Sequence, residues 1–521
     1  MKIIKSNKQL IYDITPEQRS VLKEHLTFNN PKYANAKRYG KSRYISIPPY
    51  LTYYSEKLIK VEGSQERKKV IEVPIGVDVE KILGVKSSEI IDKRSENRVR
   101  YPKFELDLRT DQAIAEQHYL SSVQDNEYPS CIVQLPTGKG KSILALHLAY
   151  VLQQRTLILV HKDDLVVGWK NDIKLCYPTM KCGLIKANKR VVGEQITIAT
   201  VQTLSKMSEE ELSTYLDQFG FVVQDEVHHV GLNIFNVIDR FSSKYKLGLS
   251  ATPKRSDKLD FVFDLFFGGL CYKHVITDDD EDICNVEVEV LESKFKYRPF
   301  YYEGMVYNEF DFKPSELPSE LVYVDSMEYS ERPTIPYLKI DGEATSSRQT
   351  KIMVCKKILE HYRQGHSVLA LFTQKEHIEQ YYHYLCRFIP KEQIILYYGG
   401  NKEKTSDLME RAESKRALIT LGTYAKATEG TNVKSWEVLF LVSSLNNAKN
   451  VEQATGRIRR RKEGKLNPVK VYDIRYTDCY SISSHFSTRV AVYKNLKYNI
   501  KGLKEISPKG MFSRGYSLTR K

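Results

Sequence analysis

Short apolar runs alternate with longer segments of helical character over most of the chain. In the first half, β-prone apolar runs occupy residues 131–135, 156–160, 196–200 and 221–224. After an interruption, runs of the same kind occupy residues 367–372, 394–397, 417–420 and 438–442. Strands that alternate with helices are typical of βαβ units around a parallel sheet. The pattern therefore predicts two α/β domains, at residues 104–275 and 346–499.

Regions outside this rhythm predict three further parts of the chain. Residues 1–103 are rich in Tyr and Lys and predict a β-rich accessory domain that ends in a basic linker. Residues 276–345 predict a connector in which two aromatic, β-prone runs around Gly304 form an inserted hairpin. Pro299 would confine its strand to an edge or a bulge, because proline lacks the N–H that a central strand donates. Residues 500–521 predict a loose basic tail.

The charge balance adds a candidate class of partner. Eighty Lys and Arg residues against 65 Asp and Glu residues leave a net charge of +15 and a pI of about 9.1. Such a surplus favours a polyanion, nucleic acid first and an anionic membrane second, although solubility alone also explains it. The apolar runs are too short to span a bilayer, and the first residues lack the apolar core of a signal peptide. We therefore expect a cytoplasmic protein with no membrane partner.

The cysteines indicate no metal site. The chain has eight of them, and none forms a CxxC pair. Zinc sites and disulfide frameworks have characteristic cysteine spacings, which are absent here. We therefore expect reduced thiols, several of them buried.

The first candidate for chemistry follows the apolar run at residues 131–135. An apolar helical segment comes directly after the sequence Pro136-Thr137-Gly138-Lys139-Gly140-Lys141-Ser142. A glycine-rich turn between a strand and a helix exposes backbone N–H groups that cradle phosphates. Lys141 would reach the β- and γ-phosphates of a nucleotide, and the Ser142 hydroxyl would ligate Mg²⁺. Leu135 replaces the glycine of the strict pattern, and a flexible surface loop is the alternative interpretation.

The second candidate follows the apolar run at residues 221–224. The chain there reads Asp225-Glu226-Val227-His228. Asp225 at a strand end would hold the Mg²⁺ through water, and Glu226 would polarise the attacking water. Such a short pattern is weak alone, but the spacing from the glycine-rich loop leaves room for the βα units between them.

Together these motifs resemble the phosphate loop and DExH box of superfamily 2 helicases, and further family motifs follow in order over residues 104–495. The resemblance implies an α/β fold of two RecA-like parallel-sheet domains with an N-terminal β-rich accessory domain and an inserted β-hairpin segment. It implies ATP and Mg²⁺ as cofactors, catalytic roles for Lys141 and His228, and Arg457 and Arg460 as arginine fingers. Within the superfamily, residues 28–33 and a closing helix around Phe486, Arg489 and Tyr493 resemble the phage UvsW-type enzymes that process branched DNA.

The remaining family motifs imply further site residues. Those for adenine and ribose are Arg109, Gln112, Gly430 and Asn432, where Asn432 replaces a commoner Asp. Those that couple hydrolysis to domain motion are Ser250, Ala251, Thr252 and Gln453. Those that contact DNA are His161, Lys162, Trp169, Thr200, Gln202 and Thr423, where His161 and Lys162 replace the usual Pro-Thr.

Two clusters of rings and bases outside these motifs predict further DNA contacts. In the accessory domain, Lys37, Arg38 and Arg43 alternate with tyrosines that could stack on bases, although these tyrosines could instead pack a small core. In the hairpin, Tyr301, Tyr302 and Tyr307 could act as a wedge that stacks on the first unpaired base. The alternative is that the hairpin rings cover the base of the second domain.

The combined interpretation is an ATP- and Mg²⁺-dependent DNA helicase or translocase. Its expected partner is forked or branched duplex DNA, with one strand in the groove between the domains, and it is expected to act as a monomer. If the protein is phage-encoded, its location would be the host cytoplasm. One alternative is a translocase that moves on duplex DNA without strand separation, and another is a non-catalytic nucleic-acid-binding module.

Overall fold

The structure is a computed structural model that divides into two compact units, Met1–Val275 and Ile276–Lys521. The residues that it describes are 1–38, 47–60, 67–125, 130–136, 138–227, 237–251, 259–274, 283–303, 305–309, 316–318, 322–324, 326–327, 337–401, 403, 405–414, 418–427, 433–477 and 479–502. Over these ranges, no helix combines the length and the apolar character that a membrane crossing requires.

The first unit begins with a mixed sheet whose strands lie in the order β5-β6-β2-β1-β7. Its strands are β1 (Lys2–Lys5), β2 (Lys8–Tyr12), β5 (Ser55–Lys60), β6 (Arg67–Pro74) and β7 (Glu89–Asp92), and a separate pair is β3 (Thr27–Asn29) and β4 (Tyr50–Thr52). Its helices are α1 (Pro16–His25), α2 (Pro31–Arg38) and α3 (Val79–Leu83). Helix α1 starts at a capping box in which the Thr15 side chain and Gln18 satisfy each other's backbone N–H groups. The prediction of a β-rich N-terminal domain is confirmed.

This N-terminal domain shares a hydrophobic core with the α/β domain that follows it. The Phe28 ring stacks on Phe261, with 3.8 Å between the ring centroids. The Gly76 N–H donates to the Leu265 carbonyl at 2.8 Å, and a Cβ at Gly76 would lie 2.4 Å from the Asp264 carbonyl oxygen. Only glycine permits so close an approach of two backbones. The predicted linker at residues 93–100 also packs on the α/β domain, since Ser95 pairs with Ser243.

The α/β domain of the first unit is built on a sheet with the strand order β11-β10-β12-β9-β13-β14-β8-β15. Its strands are β8 (Ser130–Gln134), β9 (Thr156–Val160), β10 (Gly183–Lys186), β11 (Lys189–Val191), β12 (Ile196–Thr200), β13 (Phe221–Gln224), β14 (Tyr245–Ser250) and β15 (Leu270–Lys273). Its helices are α4 (Thr110–Asp125), α5 (Lys141–Leu152), α6 (Asp163–Cys176), α7 (Val201–Leu204), α8 (Glu209–Leu216) and α9 (Val262–Phe267). All residues of β9, β12 and β13 are buried, as expected for parallel strands covered on both faces.

The second unit is built on a parallel sheet with the strand order β21-β22-β20-β23-β24-β16-β25. Its strands are β16 (Val286–Ser293), β20 (Val368–Phe372), β21 (Ile394–Tyr397), β22 (Ile419–Thr423), β23 (Val438–Leu441), β24 (Val469–Tyr476) and β25 (Asn499–Lys501). Its helices are α10 (Tyr337–Ser346), α11 (Arg348–Arg363), α12 (Lys375–Leu385), α13 (Thr405–Ser414), α14 (Tyr424–Ala427), α15 (Ala448–Ile458) and α16 (Tyr480–Asn495).

Two predicted boundaries of this unit need correction. Strand β16 falls in the segment predicted as a connector, yet it pairs along its whole length with β24 and is therefore part of the second sheet. Strand β25 begins before residue 500 and pairs with β16, so the first residues of the predicted loose tail are ordered by the sheet. In both cases the strand is stabilised by a partner distant in sequence, which the local pattern does not show.

The inserted hairpin is present as β17 (Pro299–Tyr302) and β18 (Met305–Asn308), which pair antiparallel. A third strand, β19 (Val322–Tyr323), pairs with the other side of β17. The expectation that Pro299 would confine its strand to an edge or a bulge is therefore wrong, because β17 lies between two strands. Proline is compatible with this place because it is the first residue of the strand.

A cysteine pair corrects the expectation of reduced thiols throughout. Cys131 on β8 and Cys271 on the neighbouring β15 form a disulfide, with their Cα atoms 5.7 Å apart. The two residues are 140 positions apart in the sequence, so spacing could not reveal the pair. The other cysteines are free, as expected.

Candidate active site

The glycine-rich loop joins the carboxyl end of β8 to the first residue of α5. Gly138 has a φ of 93° and Gly140, at the helix N-cap, a φ of 69°. A Cβ at Gly140 would lie 2.2 Å from the Gln112 side-chain nitrogen, so glycine is required there for conformation and for space. The Lys141 ammonium group donates to the Leu135 carbonyl at 3.3 Å. The predicted residues Pro136, Gly138, Gly140, Lys141 and Ser142 thus form one strand–loop–helix turn, whereas Thr137 lies outside the described residues.

Gln112 holds this loop with its whole side-chain amide. Its NH₂ group donates to the carbonyls of Lys139, at 3.2 Å, and Gly140, at 3.0 Å, while its oxygen accepts the Arg109 backbone N–H at 2.9 Å. An amide has two N–H donors, and both are engaged here. The prediction that this amide reads adenine therefore requires a rearrangement, and in the present structure its partners are the loop and the start of α4.

Lys139 and Arg109 also contact neighbouring parts of the domain. The Lys139 ammonium group is 3.4 Å from an Asp111 carboxylate oxygen, and Lys139 is only 1% exposed. The Arg109 guanidinium donates to the Gly138 carbonyl at 3.3 Å. The Lys139 side chain is thus directed into the domain, and the predicted ATP contact of this residue stays a prediction. Asp111, its partner, was not among the predicted site residues.

Asp225 and Glu226 follow the carboxyl end of β13, separated from β8 by β14 in the sheet. One oxygen of Asp225 accepts the Glu226 backbone N–H and the other accepts the Trp169 indole N–H, each at 2.9 Å. Burial, followed by the charge of Glu226, raises the pKa of Asp225 to about 6, while the Trp169 hydrogen bond and Lys141 oppose the rise. Glu226 has a φ of 47°, an unusual backbone conformation for a residue with a side chain. His228 lies outside the described residues.

Ser142, the other predicted magnesium ligand, donates its hydroxyl hydrogen to Asp172 on α6 at 2.5 Å. Asp172 was missed by the sequence analysis. Its position three residues after Trp169 was the available signal, because residues three apart lie on the same face of a helix.

The predicted coupling residues of the first unit lie beside the glycine-rich loop. Ser250 is the last residue of β14, is fully buried, and accepts the Leu135 backbone N–H at 3.1 Å. The Ala251 carbonyl accepts the Gln134 side-chain N–H at 3.0 Å. A displacement of this segment would therefore be transmitted to the strand that leads into the loop. Thr252 lies outside the described residues.

The predicted DNA contacts of the first unit divide into two groups. His161 and Lys162 follow β9, and the exposed Gln202 on α7 donates to the His161 carbonyl, so these residues form one cluster at the carboxyl ends of β9 and β12. His161 is only 8% exposed, so Lys162 and Gln202 are the members of this cluster that DNA could reach. Thr200 is 3% exposed and hydrogen-bonds to the Thr203 hydroxyl. Trp169 is also 3% exposed, which argues against its predicted DNA contact because its indole faces Asp225 instead.

In the second unit, the predicted residues lie on β22 and α15. Thr423 is the last residue of β22. Gln453 and Arg457 on α15 are buried. Arg460 is half-buried just after this helix, and its carbonyl accepts the Lys465 ammonium group at 2.8 Å. Gly430 and Asn432 lie outside the described residues.

The remaining predicted DNA contacts belong to the hairpin and the N-terminal domain. Tyr301 and Tyr302 are 38% and 36% exposed at the end of β17. The Tyr307 ring instead stacks on the buried Phe300, with 5.7 Å between centroids. In the N-terminal domain, Lys37 is exposed on α2, whereas the side chain of Arg38 and all of Arg43 lie outside the described residues.

The two sheets confirm the predicted fold class of two RecA-like domains, and the candidate site has the strand–loop–helix geometry of a phosphate-binding loop. A strand–loop–helix turn with two carboxylates at the end of a nearby parallel strand is the arrangement that binds a nucleotide and a divalent cation. The donor set fits Mg²⁺, because a hydroxyl and a carboxylate are oxygen ligands. The position of the loop fits a phosphate, because it leads into the first turn of α5, where backbone N–H groups lack partners within the helix.

Comparisons with known proteins agree with this class. The family described as "Type III restriction enzyme, res subunit" matches residues 105–255, which contain the loop, the DExH box and Ser250. The chain is 24% identical over 408 residues to the probable helicase D10 of Escherichia phage T5, covering 78% of this chain and 79% of that protein. It is 24% identical over 488 residues to the putative ATP-dependent RNA helicase L396 of Acanthamoeba polyphaga mimivirus, covering 88% of this chain and 82% of that protein. These relatives confirm the predicted resemblance to superfamily 2 helicases.

Another relative and the solved structures extend the comparison. The chain is 24% identical to the DNA 3'-5' translocase XPB2 of Sulfurisphaera tokodaii, covering 69% of this chain and 80% of that protein. The Type ISP restriction-modification enzyme LlaBIII, solved bound to DNA, aligns with 75% of this chain and 30% of its own, at 12% identity and a TM-score of 0.51. T4 UvsW aligns with 96% of this chain and 98% of its own, at 15% identity and a TM-score of 0.39. The alignment with LlaBIII supports the shared fold.

Proposed function

We propose that this protein is an ATP- and Mg²⁺-dependent DNA helicase or translocase that acts on forked or branched duplexes. The observation that carries the proposal is the arrangement around the glycine-rich loop, where Lys141, Ser142, Asp225 and Glu226 meet at the carboxyl edge of one parallel sheet. Ligands bind at this edge in open α/β folds. The helicases and the translocase among its relatives support a motor rather than a passive binding module.

Each residue of the arrangement has a distinct part in the proposed hydrolysis. Lys141 binds the phosphates, and Ser142 and Asp225 hold Mg²⁺, which when bound neutralises charge on the phosphate oxygens. Glu226 orients the attacking water and accepts its proton. Arg457 and Arg460 are proposed to stabilise the transferred phosphoryl group, as the resemblance implies. Because both domains contribute, DNA that favours their closed state is expected to stimulate hydrolysis.

The proposed substrate follows from the surfaces outside the motor core. The exposed rings of Tyr301 and Tyr302 are suited to stack on an unpaired base at a fork. In the N-terminal domain, Lys57, Lys68 and Lys69 on β5 and β6 have partly exposed side chains, and each forms an ion pair with a carboxylate that a DNA phosphate would have to replace. We therefore propose that residues 1–103 bind duplex arms of the substrate and that the hairpin acts at the branch point.

A panel of substrates tests this proposal. We would measure ATP hydrolysis and strand separation on single-stranded DNA, blunt duplex, a fork, a four-way junction and an RNA duplex. The expected result is DNA-stimulated hydrolysis, with strand separation fastest on the fork and the junction. Absence of hydrolysis on every substrate would overturn the enzymatic proposal, and activity on the RNA duplex alone would overturn the choice of DNA.

A duplex DNA translocase without strand separation is the second candidate, favoured by the similarity to XPB2. The two candidates differ in what they displace. A translocase would remove the third strand of a DNA triplex at the expense of ATP while leaving a forked duplex intact. Triplex displacement without fork unwinding would therefore select the second candidate.

A further inference from the structure

Helix α6 directs two side chains of one face towards the two predicted magnesium ligands. Trp169 donates to Asp225, and Asp172, one turn further along the helix, accepts from Ser142. Asp225 follows strand β13, whereas Ser142 lies in the first turn of helix α5. The two predicted ligands therefore belong to different secondary-structure elements. One helix thus holds both ligands at once.

The hydrogen bond from Trp169 fixes the orientation of the Asp225 carboxylate. An indole nitrogen can only donate, so the direction of the bond is determined. The nitrogen lies 2.9 Å from one carboxylate oxygen, and the Glu226 backbone N–H lies at the same distance from the other. Each oxygen of a carboxylate has two lone pairs, so both oxygens keep one for a cation. With Trp169 3% exposed and Asp225 8% exposed, little water competes for these bonds.

The hydrogen bond to Asp172 fixes the Ser142 hydroxyl in a ligating orientation. A serine hydroxyl has one hydrogen and two lone pairs. Because the hydrogen points to Asp172, the lone pairs face away from it and are available to a cation. Removal of the Asp172 acceptor would free the hydroxyl to rotate its hydrogen towards the metal position.

The same helix begins at the segment that is predicted to contact DNA. His161 and Lys162 directly precede the first residue of α6, and Lys162 is its N-cap residue. Gln202 on α7, which belongs to the same cluster, donates its side-chain N–H to the His161 carbonyl. Helices move as rigid elements, so a strand that binds here would shift the position of Trp169 and Asp172 along with the helix start.

We propose that Trp169 and Asp172 are positioning residues for the magnesium ligands and that α6 transmits DNA binding to the metal site, an inference that rests on the proposed function. Ligand-orienting contacts of this kind commonly change metal affinity by about 10- to 100-fold when they are removed. A tryptophan that served only to fill the core would instead tolerate phenylalanine, which keeps most of the ring volume and lacks the N–H.

The test measures metal binding directly. Mn²⁺ would be titrated into the protein in the presence of ADP, and the concentration of free Mn²⁺ would be measured by electron paramagnetic resonance. The proteins compared are the wild-type chain, Trp169→Phe, Asp172→Ala and Asp172→Asn. We expect Mn²⁺ affinity to fall about tenfold in Trp169→Phe and Asp172→Ala. Asp172→Asn should recover much of the loss, because its amide oxygen still accepts the Ser142 hydrogen. Asn171→Ala, on the exposed face of the same helix, is the matched control and should bind as the wild type does.

Steady-state kinetics and fluorescence separate this role from a loss of fold. The Mg²⁺ concentration for half-maximal hydrolysis should rise in Trp169→Phe more than kcat falls. The chain has two tryptophans, so Trp436→Phe leaves Trp169 as the one tryptophan that fluoresces. Addition of single-stranded DNA to this variant, without nucleotide, should then change the fluorescence emission of Trp169. The same addition should raise the affinity of the protein for Mn²⁺.

The outcomes distinguish the two proposals. A wild-type chain that binds no Mn²⁺ with ADP would overturn the proposed function itself. Normal Mn²⁺ affinity in both Trp169→Phe and Asp172→Ala would overturn the positioning role alone. Emission and affinity that do not respond to DNA would overturn the transmission through α6.

Discussion

The two units have RecA-like sheets, but polar side chains at the strand ends are used differently. In the first unit, Ser142 donates a hydrogen bond to α6 and Asp225 accepts one from it, and both keep lone pairs for a ligand. In the second unit, Asp341 binds the ends of two strands together: it accepts the Ser444 backbone N–H at 2.6 Å and the Thr373 hydroxyl at 2.7 Å. The same edge of the same fold thus carries the proposed metal ligands in one unit and a hydrogen-bonded link between strand ends in the other.

A buried ion pair reinforces this contrast in the second unit. Arg489 on α16 is 1% exposed and Asp473 on β24 is fully buried, with 2.8 Å between the charged groups. The Tyr493 hydroxyl donates to the same carboxylate at 2.7 Å, and Arg489 also donates to the Leu445 and Ile474 carbonyls. Buried charges that are fully hydrogen-bonded are costly to separate. The segment around Arg489, which supported the resemblance to UvsW-type enzymes, is therefore structural.

Lys141→Ala should give the largest effect on chemistry. We expect ATP hydrolysis to fall at least about 1,000-fold, because the phosphates lose the ammonium group at the helix start. DNA affinity, measured by fluorescence anisotropy at fixed salt, should change less than about threefold because the predicted DNA contacts are separate residues. Hydrolysis near the wild-type rate would show that the nucleotide site lies elsewhere.

Arg460→Ala tests whether the second unit contributes to chemistry at all. Turnover should fall about 100- to 1,000-fold, since the guanidinium acts on charge that develops in the transition state. Binding of a fluorescent ATP analogue should be almost unchanged. An equal loss of nucleotide affinity and of turnover would indicate a ground-state contact instead.

Asp473→Asn tests the structural side of the comparison. The buried Arg489 guanidinium would lose its counter-charge, and we expect the free energy of unfolding to fall by about 3–5 kcal/mol. Trp169 lies in the first unit and Trp436 in the second, so single-tryptophan variants report on the two units separately in a denaturant titration.

The matched control for this stability effect is Arg475→Gln, which removes a partly exposed ion pair with Glu292 at 3.1 Å. Exposed pairs contribute about 0–1 kcal/mol, so little change is expected. Equal destabilisation by both substitutions, or a loss confined to the Trp169 signal, would contradict the structural role of Asp473.

Replacement of residues 299–308 by a short Gly-Ser bridge tests the wedge and should have the smallest effect on the motor. We expect unwinding of a fork to fall about tenfold while DNA-stimulated hydrolysis stays within twofold, since stacking contributes about 1–3 kcal/mol per base. Tyr301→Ala with Tyr302→Ala should reproduce much of the loss. Equal loss of both activities, or of neither, would leave the hairpin as packing for the Phe300 side chain.

The local sequence was sufficient for eight strands of the two α/β sheets and for the glycine-rich loop. Runs such as residues 156–160 are apolar at every position, which a parallel strand covered on both faces requires. Gly138 and Gly140 appear where the backbone has positive φ, so their identity indicates the turn. The pairing of β17 with β18 was likewise visible as two β-prone runs about a predicted turn.

Contacts between distant residues were decided only by the tertiary structure. The pairing of β16 with β24, the Cys131–Cys271 disulfide and the hydrogen bond from Trp169 to Asp225 join residues separated by 56 to 183 positions. The sequence determined the buried central strands, the turn of the glycine-rich loop and which residues carry charge, because these depend on local periodicity and side-chain chemistry. The tertiary structure decided whether a polar side chain faces a ligand site or another buried group, because that depends on which elements pack together.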